Sequence, residues 1–241
     1  MTEDETDRGP TRVVALDGPA GSGKSTVARR VAAELAWRFV DTGATYRALT
    51  LAVLRDGVDP ADGEGVLRVA GLVRVGLGLD PRAPSVLLDG RDVTGEIRTP
   101  KVTARVSAVS GHPAVREVLL HWQRAALGRD GAVAEGRDVA SRVAPRAAVK
   151  VYLDADPAVR ARRRARDGDP GVAVTSTVGS SGAGLEPAVA VDLARRDALD
   201  GATNPLRAVD GAVHLDSSAL SIDEVVRRVL DLVAAAGLDR S

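Results

Sequence analysis

One octapeptide near the start of the chain constrains the fold more than any other feature. It reads Gly18-Pro19-Ala20-Gly21-Ser22-Gly23-Lys24-Ser25. Glycines at these positions followed by Lys and Ser form the phosphate-loop pattern, in which backbone N–H groups cradle phosphates. An apolar run at 13–16 precedes the loop, and Val27, Val31 and Leu35 follow it at helical spacing. The sequence therefore predicts a buried strand, a phosphate-binding turn and a helix.

The pattern also assigns roles within the loop. Lys24 is expected to reach the terminal phosphates of ATP, and the hydroxyl of Ser25 can meet Mg²⁺, the one cofactor we expect. The predicted ATP-binding residues are Gly18, Pro19, Ala20, Gly21, Ser22, Gly23, Lys24, Ser25 and Thr26. Because switch GTPases, motor ATPases and small-molecule kinases share this loop, it does not identify the reaction. A GTPase is disfavoured, since the chain has no Asn-Lys-x-Asp segment to read guanine.

Short apolar runs and amphipathic stretches alternate along the rest of the chain. The apolar runs predict further buried strands at 39–40, 132–134, 149–153 and 213–215. This order predicts an α/β fold in three layers, with a parallel sheet between helices on both faces. We predict a disordered tail over the polar, acidic residues 1–11 and a single domain over 12–237.

The segment from 56 to 97 follows a different pattern. Apolar residues alternate between 73 and 79, and the apolar run at 86–88 meets Asp89-Gly90, a favoured hairpin turn. We therefore predict a small β-rich insertion in an otherwise parallel α/β fold.

Two later helices have clear start signals. Pro113 is suited to the first turn of a helix whose apolar stripe leaves out Arg116 and Gln123. Ser221 and Glu224 form a capping box that predicts the last helix. Residues 168–184 are rich in Gly, Ser and Thr with little apolar pattern, and we predict a flexible segment there.

Composition narrows the class of partner and compartment. The chain has 33 basic and 33 acidic residues, and only 2% of its 241 residues are aromatic, so neither a nucleic-acid nor a membrane-surface partner is favoured. Cysteine is absent, which excludes disulfides, thiolate metal sites and a Cys nucleophile. No apolar run has membrane-spanning length. We expect a cytoplasmic monomer that binds small molecules.

Four separate segments, taken together, resemble one enzyme family. They are Asp17-Gly18-Pro19 with the phosphate loop, Asp41-Thr42-Gly43-Ala44 with Tyr46-Arg47, Gly95-Glu96-Ile97-Arg98-Thr99, and Glu135-Gly136-Arg137-Asp138. In order and spacing they resemble bacterial cytidylate kinase, a P-loop nucleoside monophosphate kinase that phosphorylates CMP and dCMP with ATP. The resemblance runs from about 13 to 233 and weakens between 166 and 193. It implies a monophosphate-binding region with the insertion at about 42–110 and a lid at about 158–190.

The resemblance implies a CMP-binding set made of Thr42, Arg47, Ser107, Arg116, Arg137, Asp138, Arg196 and Asp200. Within that set, Ser107, Arg116 and Asp138 would contact the cytosine ring. A carboxylate beside a guanidinium matches cytosine, which presents an amino donor next to a ring-nitrogen acceptor, whereas uracil presents the opposite pattern. Arg47 and Arg137 would hold the acceptor phosphate.

The resemblance also implies a set of catalytic cations made of Lys24, Arg137, Arg160, Arg163 and Arg164. The last three lie in an arginine-rich stretch that would belong to the lid and close over ATP, placing charge on the transferring phosphoryl group. By position alone, however, this stretch is equally typical of a solvated basic face. Arg47 and Ser107, taken alone, are likewise typical of exposed polar helix positions.

The chain departs from the family pattern at several positions. The ribose residues, Arg196 and Asp200, are followed by Thr203 where the family has another phosphate-binding arginine, and Arg207 is a candidate to replace it. Ala140 stands where the family usually has glycine, and 168–184 replaces a more regular lid. These departures leave two alternatives open: a kinase for another acceptor such as UMP, AMP or a metabolite, or a nucleotide-binding regulator without turnover.

Overall fold

The computed structural model describes residues 12–166, 186–203 and 207–238. The predicted disordered tail at 1–11 and the predicted flexible segment at 168–184 lie outside the described residues. The strands are β1 (Val13–Asp17), β2 (Arg38–Asp41), β3 (Val75–Gly78), β4 (Ser85–Leu88), β5 (Arg91–Asp92), β6 (Ala132–Gly136), β7 (Val149–Asp154) and β8 (Val213–Asp216). The helices are α1 (Lys24–Leu35), α2 (Thr42–Arg55), α3 (Gly63–Leu72), α4 (Pro100–Thr103), α5 (Val106–Ser110), α6 (Pro113–Leu127), α7 (Pro157–Arg166), α8 (Glu186–Thr203) and α9 (Ile222–Ala235).

The central sheet has five parallel strands in the order β2-β6-β1-β7-β8. All five residues of β1 and of β6 are buried, as expected of parallel strands covered on both faces. Val14 and Leu16 of β1 face the core formed with α1 and α9, whereas Val13 and Ala15 face the core shared with the end of α6. The predicted three-layer α/β fold is therefore confirmed.

The predicted insertion contains a three-stranded antiparallel sheet in the order β3-β4-β5. Asp89 and Gly90 both have positive φ, at 51° and 83°, as a two-residue type I′ hairpin turn requires. The first part of the insertion, however, is the helix α3, which the sequence pattern did not predict. It forms because the Asp62 side chain accepts a hydrogen bond from the Gly65 N–H, and because Val66 and Val69 are buried.

The helix starts predicted from local signals are confirmed. Pro113 is the first residue of α6, and the Ser221–Glu224 capping box opens α9. Arg116 and Gln123, which lie off the apolar stripe of α6, are nevertheless buried. Their burial is tolerated because each has a polar partner: Arg116 donates to Asp138, and Gln123 donates to Thr45. None of the helices in the described parts of the chain is long and apolar enough to cross a membrane.

Candidate functional site

A cleft of about 700 Å³ opens beyond the carboxyl ends of the parallel strands β1, β2 and β6. This edge is where ligands bind in open α/β sheets. Most of the described residues predicted from the sequence line this cleft: Ala20, Gly21, Ser22, Gly23, Lys24, Ser25, Thr26, Thr42, Arg47, Ser107, Arg116, Arg137, Asp138, Arg163 and Arg164. The fold thus brings together residues that are more than 100 positions apart in the sequence.

The phosphate loop connects β1 to α1 with a backbone that requires glycine. Gly18 has a φ of 151°, and a Cβ there would overlap the carbonyl oxygen of Leu153 on β7. Gly23, at the N-cap of α1, has a φ of 95°. The first N–H groups of α1 therefore face the cleft with the positive end of the helix dipole, an arrangement that attracts anions.

Two side chains of the loop are buried next to the expected phosphate position. Lys24 Nζ donates to the Pro19 carbonyl oxygen at 2.8 Å. Burial, followed by the nearby Arg137 charge, lowers the pKa of Lys24 to about 8. The hydroxyl of Ser22 is buried and has no hydrogen-bond partner within the described part of the chain. A bound phosphate oxygen would give the Ser22 hydroxyl a partner and could accept a second N–H of Lys24.

Glu135, at the end of β6, is a site residue that the sequence reasoning missed. Its carboxylate accepts a hydrogen bond from Ser25 Oγ at 2.7 Å. Burial, and then the neighbouring Asp41 carboxylate, raises the pKa of Glu135, while Lys24 and Ser25 act in the opposite direction. The sequence did contain a signal for this residue, because Glu135 is the first residue of the family-like segment Glu135-Gly136-Arg137-Asp138. An oxygen pair of this kind suits Mg²⁺, which binds to one or two protein oxygens together with phosphate oxygens.

Across the cleft, the start of α2 carries Thr42 and Arg47. Thr42 Oγ1 donates to the Glu135 carbonyl oxygen at 2.8 Å, which fixes the start of α2 against β6. Arg47 Nη1 donates to Thr103 Oγ1 at 2.8 Å and to the Ile97 carbonyl oxygen at 3.3 Å. Arg47 is thus held by its neighbours and lines the cleft rather than extending into solvent.

A buried arginine–carboxylate pair borders the cleft. Arg116 Nη2 donates to Asp138 Oδ2 at 2.5 Å, and the guanidinium lies 5.8 Å from the centre of the Tyr46 ring. Burial raises the pKa of Asp138 above its usual value, while Arg116 lowers it by a smaller amount. Ser107 lines the cleft on the neighbouring helix α5. The three residues expected to contact cytosine thus border one cavity.

Gln123, on the same face of α6 as Arg116, is a second polar residue whose role the sequence did not indicate. Its Nε2 atom donates to Thr45 Oγ1 at 3.0 Å and to the Thr42 carbonyl oxygen at 3.3 Å. The side chain is 2% exposed. Gln123 therefore links α6 to the first turn of α2 through two hydrogen bonds.

Two arginines of α7, Arg160 and Arg163, are held by polar groups of the phosphate loop and of neighbouring elements, whereas Arg162 and Arg166 are exposed. Arg160 Nη1 donates to Asp197 at 2.6 Å and to the Ala20 carbonyl oxygen at 3.1 Å. Asp197 also lies 3.5 Å from Arg137 Nη1, so one carboxylate contacts two of the predicted catalytic arginines. Asp197 was not predicted, because its partners lie 37 and 60 positions away in the sequence.

Arg163 joins the phosphate loop to the end of β8. Its guanidinium donates to the Ser217 carbonyl oxygen at 2.7 Å, to Ser217 Oγ at 2.9 Å and to the Ser22 carbonyl oxygen at 3.3 Å. Burial lowers the pKa of Arg163. Arg164, the next residue, also lines the cleft.

Ala140 does not require a glycine-only conformation in this chain. It lies in a π-helical turn, Val139–Val143, and is not among the residues with positive φ. Its N–H donates to Asp17 at 2.8 Å. The alanine is therefore compatible with the backbone at this position, and the departure from the family pattern carries no conformational strain.

The predicted ribose-binding residues, Arg196 and Asp200, belong to α8. The side chains of Arg196 and Asp200, and that of Thr203, lie outside the described residues. Arg207, the candidate to replace the family arginine, is exposed and is not among the residues that line the cleft. Its proposed compensating role stays a prediction.

Comparison with known proteins gives a consistent result. The model of the cytidylate kinase family matches residues 14–235. A protein named cytidylate kinase from Mycolicibacterium paratuberculosis is 47% identical over 227 residues, which cover 92% of this chain and 94% of that protein. Proteins of the same name from Rhodococcus opacus and Streptomyces avermitilis are 45% and 40% identical, over 92% and 93% of this chain and 94% and 93% of their own length.

Proposed function

The chain belongs to the cytidylate kinase family, and from this premise we propose that it transfers the γ-phosphoryl group of ATP to CMP and dCMP, giving ADP and CDP or dCDP. The observation that carries the proposal is the buried Arg116–Asp138 pair, which borders the same cleft as the phosphate loop. ATP at the phosphate loop and the base of the acceptor nucleotide can therefore be bound together in one cavity.

The pair supports a cytosine acceptor over uracil or adenine. The Asp138 carboxylate can accept from the cytosine amino group while the Arg116 guanidinium donates to the adjacent ring nitrogen or carbonyl. Both residues are less than 10% exposed, so an unmatched base would leave a buried polar group without a partner. We propose that Ser107 adds a hydroxyl contact to the same ring.

The acceptor phosphate is proposed to lie between Arg47 and Arg137. Arg47 enters the cleft from α2, and Arg137 follows β6. Two guanidiniums from opposite sides can orient a phosphate oxygen toward the γ-phosphorus of ATP. That oxygen is already ionised, so the reaction needs no strong general base, and positioning alone can contribute on the order of 7 to 11 kcal/mol.

On the donor side, we propose that the N–H groups of the phosphate loop and Lys24 bind the β and γ phosphates. Arg160, Arg163 and Arg164 would add positive charge as the oxygens of the transferring group become more negative. Ser25 and Glu135 are the residues suited to hold Mg²⁺, directly or through water. When bound, the ion neutralises charge on the β and γ oxygens.

The alternative of a regulator without turnover is motivated by Thr203, which replaces a family arginine. The loss of one charge-assisted contact weakens efficiency by roughly tenfold to a hundredfold, and does not abolish the chemistry. Arg207 is proposed to compensate, although it is exposed here. Changing Arg207 to Ala should then raise the KM for CMP. An unchanged KM would show that Arg207 does not replace the family arginine.

The test is a coupled ADP-release assay with the full chain, Mg²⁺-ATP and, in parallel, CMP, dCMP, UMP, AMP or no acceptor. Turnover with CMP and dCMP well above the others is the expected result. Turnover with UMP or AMP instead would assign a different acceptor, and ATP binding without turnover would favour the regulator. The Lys24→Ala variant is the loss-of-function control, since Lys24 is the cation of the phosphate loop.

A further inference from the structure

Asp17 is a buried carboxylate to which neither the sequence pattern nor the proposed chemistry assigns a role. It is the last residue of β1, directly before the phosphate loop, and is 5% exposed. Its Oδ1 accepts a hydrogen bond from the Val139 N–H at 2.8 Å, and its Oδ2 accepts one from the Ala140 N–H at 2.8 Å. Both carboxylate oxygens are therefore used on the backbone of a distant segment.

The two N–H groups belong to the turn that follows the acceptor-site residues. The π-helical turn Val139–Val143 begins directly after Asp138, and its first N–H groups have no partner within the turn. Hydrogen bonds from Arg142 and Ala144 to the carbonyls of Asp138 and Val139 close the turn. Asp17 thus caps this turn from a neighbouring strand, as an N-cap side chain caps a helix from within its own chain segment.

The cap fixes the backbone on which the base-recognising carboxylate is carried. Asp17 and Gly136 are paired residues of β1 and β6, so the chain must turn within a short distance to bring Val139 and Ala140 back to Asp17. Arg137 and Asp138 are the two residues of that return. A shift of the turn would therefore move the side chain that pairs with Arg116.

We propose that Asp17 is a positioning residue that holds Arg137 and Asp138 in register with the phosphate loop, so that donor and acceptor are aligned. The inference rests on the proposed function, because it gives Arg137 and Asp138 their roles at the acceptor. Asp17 acts through these two residues and is not expected to touch either nucleotide itself.

The cost of burying this carboxylate supports a specific role. Burial raises the pKa of Asp17 to about 6, against the opposing effect of the Ala140 and Val139 N–H groups; the Asp138 carboxylate raises it further and Lys24 lowers it. Ionising a buried carboxylate costs free energy, and capping alone does not require a carboxylate, since the neutral side chains of Ser, Thr or Asn also cap helices. Only an ionised carboxylate offers two equivalent acceptors to two adjacent N–H groups.

The test uses the full chain and the variant Asp17→Asn. The amide keeps the size of the side chain and one acceptor oxygen, but its NH₂ group faces the second N–H. The matched control is Asp62→Asn, because the Asp62 carboxylate also accepts from a backbone N–H, that of Gly65 at 3.1 Å. It caps helix α3 in the insertion, however, and does not line the cleft. For each variant we would measure the KM for the acceptor, the Kd for ATP without acceptor, and thermal unfolding.

The expected result is a KM for CMP that rises roughly tenfold to a hundredfold in Asp17→Asn, the range for the loss of one charge-assisted hydrogen bond, while the Kd for ATP changes by less than about threefold. Asp62→Asn should lower thermal stability and leave both constants near wild type. A merely structural role for Asp17 would instead lower stability without this split, and that outcome would overturn the proposal. Equal losses in CMP and ATP binding would overturn it as well.

Two further measurements keep the inference testable on its own. If Asp17→Asn does not fold, Asp17→Ser takes its place, because it keeps one acceptor in a smaller side chain. It is judged by the same ratio, that of the change in KM for CMP to the change in Kd for ATP. In the wild-type protein, the amide NMR signals of Val139 and Ala140 should titrate together near pH 6, and signals that do not respond would contradict the cap. If wild type prefers another acceptor, the proposed function fails, and the ratio is measured with that acceptor to decide the role of Asp17.

Discussion

Replacing Asp138 by Asn tests how the acceptor base is recognised. In the wild-type protein, Arg116 donates to the Asp138 carboxylate at 2.5 Å. The substitution keeps the shape of the side chain and one acceptor oxygen for Arg116 but removes the negative charge. A hydrogen bond to a charged group contributes about 1.5 to 3 kcal/mol, so kcat/KM for CMP should fall roughly tenfold to a hundredfold. The amide can present an N–H donor to uracil, so kcat/KM for UMP should not fall in parallel.

The same substitution should have a much smaller effect on folding. The raised pKa of Asp138 means that burial opposes its charge more strongly than Arg116 stabilises it. Removing the charge therefore recovers part of a desolvation cost while weakening the contact with Arg116. We expect the free energy of unfolding to change by less than about 2 kcal/mol, which leaves the variant folded at assay temperature.

The assay is ADP release with CMP and with UMP at several concentrations, accompanied by urea unfolding. Asp130→Asn is the matched control. It is the same chemical change at a carboxylate whose side chain is 86% exposed and pairs with Arg38, and neither residue lines the cleft. It should leave both kinetics and stability near wild type. A ratio of CMP to UMP efficiency in Asp138→Asn that stays within twofold of wild type would refute the proposed recognition of cytosine.

Three further predictions follow from other parts of the site. Glu135→Gln should raise the Mg²⁺ concentration needed for half-maximal rate by roughly tenfold, and an unchanged requirement would argue against a role near the ion. Asp197→Asn weakens the carboxylate contact that Arg137 and Arg160 share, so kcat at saturating substrates should fall about tenfold, whereas a change in KM alone would point to binding only. The pKa of Asp17 in the folded protein is about 6, above the ordinary 3.8, so the folded state holds this proton more tightly than the unfolded state does. The stability that results is fully present below about pH 4 and is lost as the pH rises through 6. Urea unfolding should show the wild-type minus Asp17→Asn difference falling by about 3 kcal/mol between pH 4 and pH 7, and a flat difference would contradict the shift.

Local signals in the sequence were sufficient for most of the framework. The phosphate loop, the buried strands, the hairpin turn at Asp89-Gly90 and the cap at Ser221 each depend on residues within a few positions of one another. The helix α3 was missed because three of its ten residues, Gly63, Gly65 and Gly71, have low helix propensity. The cap from Asp62 and the burial of the helix against its neighbours outweigh that propensity.

The parallel α/β fold with its phosphate loop could be predicted from the amino-acid sequence, because strand, turn and helix patterns are local and periodic. The sequence also contains the family motifs from which the acceptor-binding residues are proposed. The contacts between distant polar groups became visible only in the folded chain: Glu135 accepts from Ser25, Asp197 contacts Arg137 and Arg160, and Asp17 accepts from a backbone N–H 122 positions away. Buried polar groups are paired by the packing of whole strands and helices, and no short-range pattern records that pairing.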